Sequence, residues 1–330
     1  MPDTIESQEL YPQPSGQKEG CGFPVMKFVA VFSLVTGLML DYRKSSLHKH
    51  EVMLWKDMWD NFEEGDVILG DRAYCSFAAL WSLKQKGIDC VTRPHQVRKG
   101  ETVKRYSKKD YLVCWLKGKK RSKSKWMSLE QWEKMPDELI VRYVDVKVEV
   151  PGFRTKSLTV STTLLDNKKY PADQLVELYR RRWMAELFLR DTKTTMRMEI
   201  LRCKTPDMIH KELVIFIIVY NLIRSLIWEA GMENGIDPYR ISFSGAIAAI
   251  RQWAPIIATL RNAKEKKMAI FALKEVIAAD KIPTRKESRY EPRAIKRRFN
   301  STYQLLTSPR KEFIECKHRR KYKKGDNTLS

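Results

Sequence analysis

Residues 66–92 constrain the fold of this chain more than any other stretch. Asp66-Val-Ile-Leu-Gly-Asp71 is a short apolar run ending in an acid, residues 76–87 read as a helix, and Ile88 to Thr92 form a second apolar run. That strand–helix–strand alternation predicts an α/β sheet. Upstream, PVMKFVAVFSLVTGLMLD (residues 24–41) reads as two buried strands joined near Thr36-Gly37. Residues 49–62 have helical spacing at Val52, Leu54, Trp55 and Trp59. Residues 1–22 are rich in Pro, Gly and polar residues and read as irregular.

The pattern then changes. Residues 94–165 alternate polar and apolar, as in YLVCWL, LIVRYVDVKVEV and LTVSTTLL, with Gly- and Lys-rich turns between them. This predicts a β-rich block placed between α/β elements. From Pro171 to about residue 280 the chain is mainly helical, and a basic tail follows, read as loosely ordered. The expected organisation is therefore 1–93, 94–165, 166–280 and 281–330. The apolar run Leu213 to Tyr220 is interrupted by Asn221 and Arg224, short of the ~20 residues a spanning helix needs, and reads as a buried helix. The acidic, polar start MPDTIESQEL lacks a signal-peptide core, so a soluble cytoplasmic protein without membrane partners is expected.

Composition narrows the chemistry. Hydrophobic residues make up 43% of the chain, with nine Trp, which excludes wholesale disorder. The six cysteines are never closer than 15 residues, so no zinc ribbon forms and reduced thiols are expected. The five histidines read as structural or surface residues.

The net charge of +22 is concentrated. Residues 98–125 hold twelve Lys or Arg against Glu101 and Asp110, and residues 281–330 hold sixteen against five acids. Two basic blocks in an otherwise near-neutral chain fit a polyanion, where each neutralised phosphate releases counterions. Tyr106, Tyr111, Trp115 and Trp126 lie in or beside the first block, and such rings can stack on bases.

The acids supply the rest. Pro171, Asp173 and Glu177 suit the start of a helix that runs DQLVELYRRRWMAELFLRDTKTTM. At ~100° per residue, Tyr179, Arg182, Glu186 and Lys193 fall within an arc of about 60°, with Trp183 and Leu187 on an adjoining stripe expected to face the core. An Arg182–Glu186 pair is also ordinary i,i+4 helix chemistry. Asp71 ends a strand, the edge where α/β sheets present functional groups, although it would equally cap the helix near Ser76. A strand-end Asp and a helical Glu can share hard divalent cations, which prefer oxygen ligands.

The string Tyr179-x2-Arg182-x3-Glu186-x6-Lys193 resembles the Tyr–Arg–Glu–Lys signature of bacterial DDE transposases of the IS-four insertion-sequence family. Gly70-Asp71-Arg72-Ala73-Tyr74 resembles the segment bearing that family's second catalytic Asp. Pro2-Asp3-Thr4, Tyr11-Pro-Gln-Pro14 and Gly22-Phe-Pro24 resemble the stretch after the first. Tyr220-Asn-Leu-Ile-Arg224 and Arg289-Tyr-Glu-Pro-Arg293 resemble its C-terminal segments.

The resemblance implies an α/β, ribonuclease-H-like core with a β-rich insertion at 94–165, between Asp71 and Glu186, and a helical C-terminal region. It implies DNA transposition: Mg2+- or Mn2+-dependent cleavage at insertion-sequence ends, then strand transfer by the freed 3′-hydroxyl. Asp71 and Glu186 would be the catalytic metal ligands, and Tyr179, Arg182 and Lys193 would hold the DNA backbone. A tryptophan of the insertion would stack on a displaced base, with Trp115, Trp126 and Trp132 as candidates. The implied partners are double-stranded DNA, both ends and target, and a second copy in a synaptic homodimer near the bacterial nucleoid. The family's first catalytic Asp sits in an Asp-Gly pair on the first core strand, ahead of the Pro-Asp-Thr segment. Here Met1 directly precedes that segment, so an N-terminally truncated core lacking its first strand is expected. The alternatives are a catalytically inactive DNA-binding remnant and an unrelated metal-dependent nuclease.

Overall fold

The computed structural model describes residues 1–18, 20–95, 98, 100–118, 126–147 and 157–283, with the backbone of 313–316 and 321–324. Most of the basic tail and residues 119–125 of the first basic block lie outside the described residues.

The N-terminal apolar runs form a hairpin, β1 (Met26–Phe32) against β2 (Met39–Ser46). Its turn closes with Gly37 N donating to Ser33 O at 2.8 Å, and Gly37 has φ +78°. A Cβ there would stand 3.2 Å from Arg224 Cδ and from the Phe188 ring. Gly37→Ala should therefore destabilise the protein by about 1–2 kcal/mol or more. Urea unfolding should show a lower midpoint at unchanged slope; an unchanged midpoint would contradict this.

β1 is covered on both faces. Val29 and Val31 pack with α2 (Glu51–Lys56) and α3 (Phe77–Gln85). Phe28, Ala30 and Phe32 pack into the C-terminal helical cluster. Residues 1–22, read as irregular, contain a short helix, α1 (Ile5–Leu10), because the Thr4 hydroxyl accepts from Ser7 N and caps it.

The strand–helix–strand reading holds. β3 (Val67–Leu69) and β4 (Asp89–Thr92) are parallel, with α3 crossing between them. Ser76 caps α3, which buries Phe77, Ala78, Ala79, Leu80 and Leu83. The β-rich block supplies β5 (Glu101–Ser107), β6 (Asp110–Leu116), β7 (Glu138–Lys147) and β8 (Ser157–Thr162). α4 (Leu129–Glu133) lies between β6 and β7. Because β8 pairs antiparallel with β4, the block extends the same sheet, giving the mixed order β3-β4-β8-β7-β6-β5. Ile68 packs toward α3, and Leu69 toward α5 (Ala172–Arg190). Among the described residues, β1 pairs only with β2 and β3 only with β4, so each keeps one open edge.

The helical half continues with α6 (Pro206–Glu233), α7 (Phe243–Thr259) and α8 (Ala263–Ala279). By length and composition alone α6 could cross a membrane. In the fold, its Ile209, Leu213, Ile217, Tyr220, Ile223 and Ile227 are core residues, as expected of a buried helix, while Ile215, Ile218 and Leu222 stay exposed.

Candidate active site at the carboxyl edge of the sheet

Parallel pairing of Val67 with Asp89 and Leu69 with Val91 sets the register at the sheet's edge. Two residues beyond the last pair, Asp71 and Arg93 leave β3 and β4 side by side. Gly70 N donates to Val91 O at 3.1 Å, and a Cβ on Gly70 would stand 3.3 Å from Thr92 Cγ2 and Tyr74 Cβ. That close approach favours glycine before Asp71. Asp71 Oδ1 accepts from Arg72 N at 2.7 Å, capping a single 3-10 turn at 72–74. Asp71 is exposed, and its second oxygen makes no hydrogen bond among the described residues.

α5 brings the other groups. Arg182 Nη2 lies 2.9 Å from Glu186 Oε1, with the two side chains 25% and 45% exposed. The Arg182 guanidinium lies 5.9 Å from the centre of the Tyr179 ring. Burial works against the Arg182 charge, but the Glu186 hydrogen bond and the fields of Tyr179, Glu186 and Asp71 outweigh it and hold the guanidinium above its ordinary value. The Tyr179 hydroxyl is buried without a hydrogen-bond partner. Burial pushes that phenol up, with Arg182, Asp71 and Arg93 all acting on it. Thus Asp71, Tyr179, Arg182, Glu186 and Arg93 share one electrostatic neighbourhood. Arg93 was not singled out from sequence, since only the β3–β4 register places it beside Asp71.

Lys193 departs from the straight-helix projection. α5 ends in a π turn, Asp191–Thr195, closed by Met196 N donating to Asp191 O at 2.9 Å. A π turn holds more residues per turn, so Lys193 swings away from the direction an unbroken α-helix would give it. It is exposed and makes no ion pair among the described residues.

Two aromatic expectations need correction. Trp183, assigned with Leu187 to the core, is 55% exposed, and Leu187 is half-buried. The reason is that α5 changes partners along its length. Its first half buries Leu175 and Tyr179 against β8 and β4, and its second half buries Phe188 among α6 and α7. The buried face rotates between them, so no single apolar stripe exists. Trp115, a candidate for base stacking, is 0% exposed. Its Nε1 donates to the Tyr143 hydroxyl at 3.0 Å and Arg98 lies 4.7 Å over its ring, so it is core. Trp126 and Trp132 are half-buried against the same cluster, with Trp126 edge-on to Trp59.

Asp71 and Glu186 offer hard oxygen donors suited to a divalent cation. Among the described residues, no group of three or more His, Cys, Asp or Glu side chains is placed to hold a metal.

The transposase DDE domain model matches residues 5–222. Transposase InsG for insertion sequence element IS4, from Escherichia coli, is 25% identical over 317 residues, covering 94% of this chain and 67% of that protein. A match that runs from α1 into α6, taking in Asp71 and the Tyr179–Lys193 string on the way, makes this chain a DDE transposase of the IS4 family.

Proposed function

We propose that the chain binds duplex DNA with its two basic blocks and presents the backbone to the carboxyl edge of β3, where phosphodiester cleavage at insertion-sequence ends and strand transfer take place. The observation that carries this reading is the convergence on Arg182 of Asp71 from the strand end and Glu186 from α5. Asp71 and Glu186 would hold the divalent cation, Mg2+ or Mn2+. That group, when bound, activates a water or hydroxyl and stabilises the leaving oxygen.

The remaining roles belong to the chain's own groups. The Tyr179 phenol is protonated at neutral pH, burial only raising it further, and its buried hydroxyl would donate to a phosphate oxygen once DNA binding uncovers it. When Glu186 turns to a cation, the Arg182 fork is released for bidentate phosphate binding. Arg93 adds positive charge beside Asp71, and Lys193 adds it on the turn that follows α5. A ribonuclease-H-like arrangement would need a further strand beside β3, which among the described residues pairs only with β4. A synaptic homodimer would pair two ends.

A second reading is a DNA-binding protein without cleavage, which the two basic blocks alone would serve.

The test of the shared part is salt dependence. Affinity for duplex DNA should fall by about 10³ or more between about 50 and 200 mM salt, as several phosphate contacts require. Removing residues 281–330 should weaken binding to all sequences alike. Binding indifferent to salt would sink both readings.

A further inference from the structure

We propose that the buried Asp191–Arg224 pair is a positioning device: it fixes the π turn that closes α5 and so sets where Lys193 stands relative to Glu186. The consequence for DNA rests on the site reading above, while the pinning of the turn stands on geometry alone.

Arg224 of α6 is held on every side. Its guanidinium lies 4.6 Å from the Phe188 ring of α5, 4.8 Å from the Phe243 ring of α7 and 5.6 Å from the Tyr220 ring of its own helix. Its Nε donates to the Tyr220 hydroxyl at 3.2 Å, and that hydroxyl donates to Gly37 O at 2.7 Å in the hairpin turn. Its Nη2 donates to Asp191 Oδ2. The planar fork therefore joins three helices and the hairpin to one carboxylate.

Asp191 opens the π turn. Arg190 lies 3.9 Å from its other oxygen, but the Arg190 side chain is largely exposed, so Arg224 is the buried partner. The carboxylate and guanidinium side chains are 9% and 7% exposed. Removing such a pair from water is costly, and burial pushes the Asp191 carboxyl up despite Arg224. An apolar pair of similar volume would serve packing at least as well. What the ion pair adds is direction.

The backbone it directs is unusual. Within eight residues it passes from α through π geometry, and Arg197 then takes φ +63°, the left-handed region that glycine normally fills. Such a path persists only where its surroundings over-determine it. Asp191 is the buried charged anchor of that path, and Lys193 rides on it two residues later. π segments also recur at functional sites.

Two variants separate pinning from mere stability. Asp191→Leu combined with Arg224→Met removes both charges and leaves no unpaired ion in the core. Arg224→Lys keeps the charge but loses the planar fork. Hydrogen exchange should rise at least tenfold in residues 192–199 of both variants, while residues 172–186 keep the parent's protection. Unchanged exchange in 192–199 would overturn the proposal. So would a rise spread evenly over α5, α6 and α7, which would make the pair a general stabiliser.

The second arm is the salt slope of binding to a random-sequence duplex. Lys193→Ala should lower the parent's slope by about one counterion. In the Asp191→Leu/Arg224→Met background it should change nothing further, while Arg182→Ala should cost the same in both backgrounds. An equal effect of Lys193→Ala in both backgrounds would overturn the proposal. No effect in the parent would overturn the reading of Lys193 as a DNA contact, leaving the exchange result to decide the pinning.

Discussion

Arg142→Ala should cost about 3–5 kcal/mol of folding stability, a large part of the ~5–15 kcal/mol that a domain has. Arg142 sits in the middle of β7 and is 0% exposed. Its Nε and Nη2 donate to the two carboxylate oxygens of Asp110, each at 2.7 Å, and its Nη1 donates to Tyr170 O at 2.7 Å and Asp166 O at 3.3 Å. Truncation leaves the Asp110 carboxylate, 10% exposed, without its charge partner. It also removes the Arg142 donor from the Tyr170 carbonyl just ahead of α5. Denaturant unfolding should show the loss, and Arg142→Met with Asp110→Leu should recover most of it, because no buried charge remains. A cost below about 1 kcal/mol for Arg142→Ala would mean that water replaces the fork. Because residues 166–170 lead directly into α5, DNA binding should weaken alongside.

That pair also marks how far sequence could be read. The β3–α3–β4 unit, the turn at Gly37 and the strands of 94–165 were legible because period and punctuation are local properties. Arg142 in LIVRYVDV merely continues an alternation, and its partner lies 32 residues away on a neighbouring strand, beyond the reach of periodicity. The same holds for Arg93, whose place beside Asp71 is a matter of register between β3 and β4.

α5 was harder for another reason. Its residue types and spacing identified Tyr179, Arg182 and Glu186 as a group, and the structure brings Asp71 within their electrostatic reach. Its buried face was not legible, since one helix that passes from one core cluster to another has no single stripe to find. Trp183 consequently read as core and is exposed, while Trp115 read as available and is core. The π turn was invisible as well: it depends on the buried Asp191–Arg224 pair, formed between helices.

Cleavage of duplex DNA carrying insertion-sequence ends, with Mg2+ or Mn2+, should depend on both Asp71 and Glu186. Two divalent cations about 3.5–4 Å apart repel each other, and the arrangement needs enough carboxylates to neutralise them. Asp71 at the end of β3 and Glu186 on α5 supply two, and both act on the charge of Arg182. Glu186→Ala should lower the rate by about 10²–10³, the several kcal/mol of charge stabilisation that a metal site supplies. Asp71→Ala should do the same, with DNA affinity changed far less than cleavage. Cleavage that survives Glu186→Ala would remove Glu186 from the chemistry and leave it as the helix partner of Arg182.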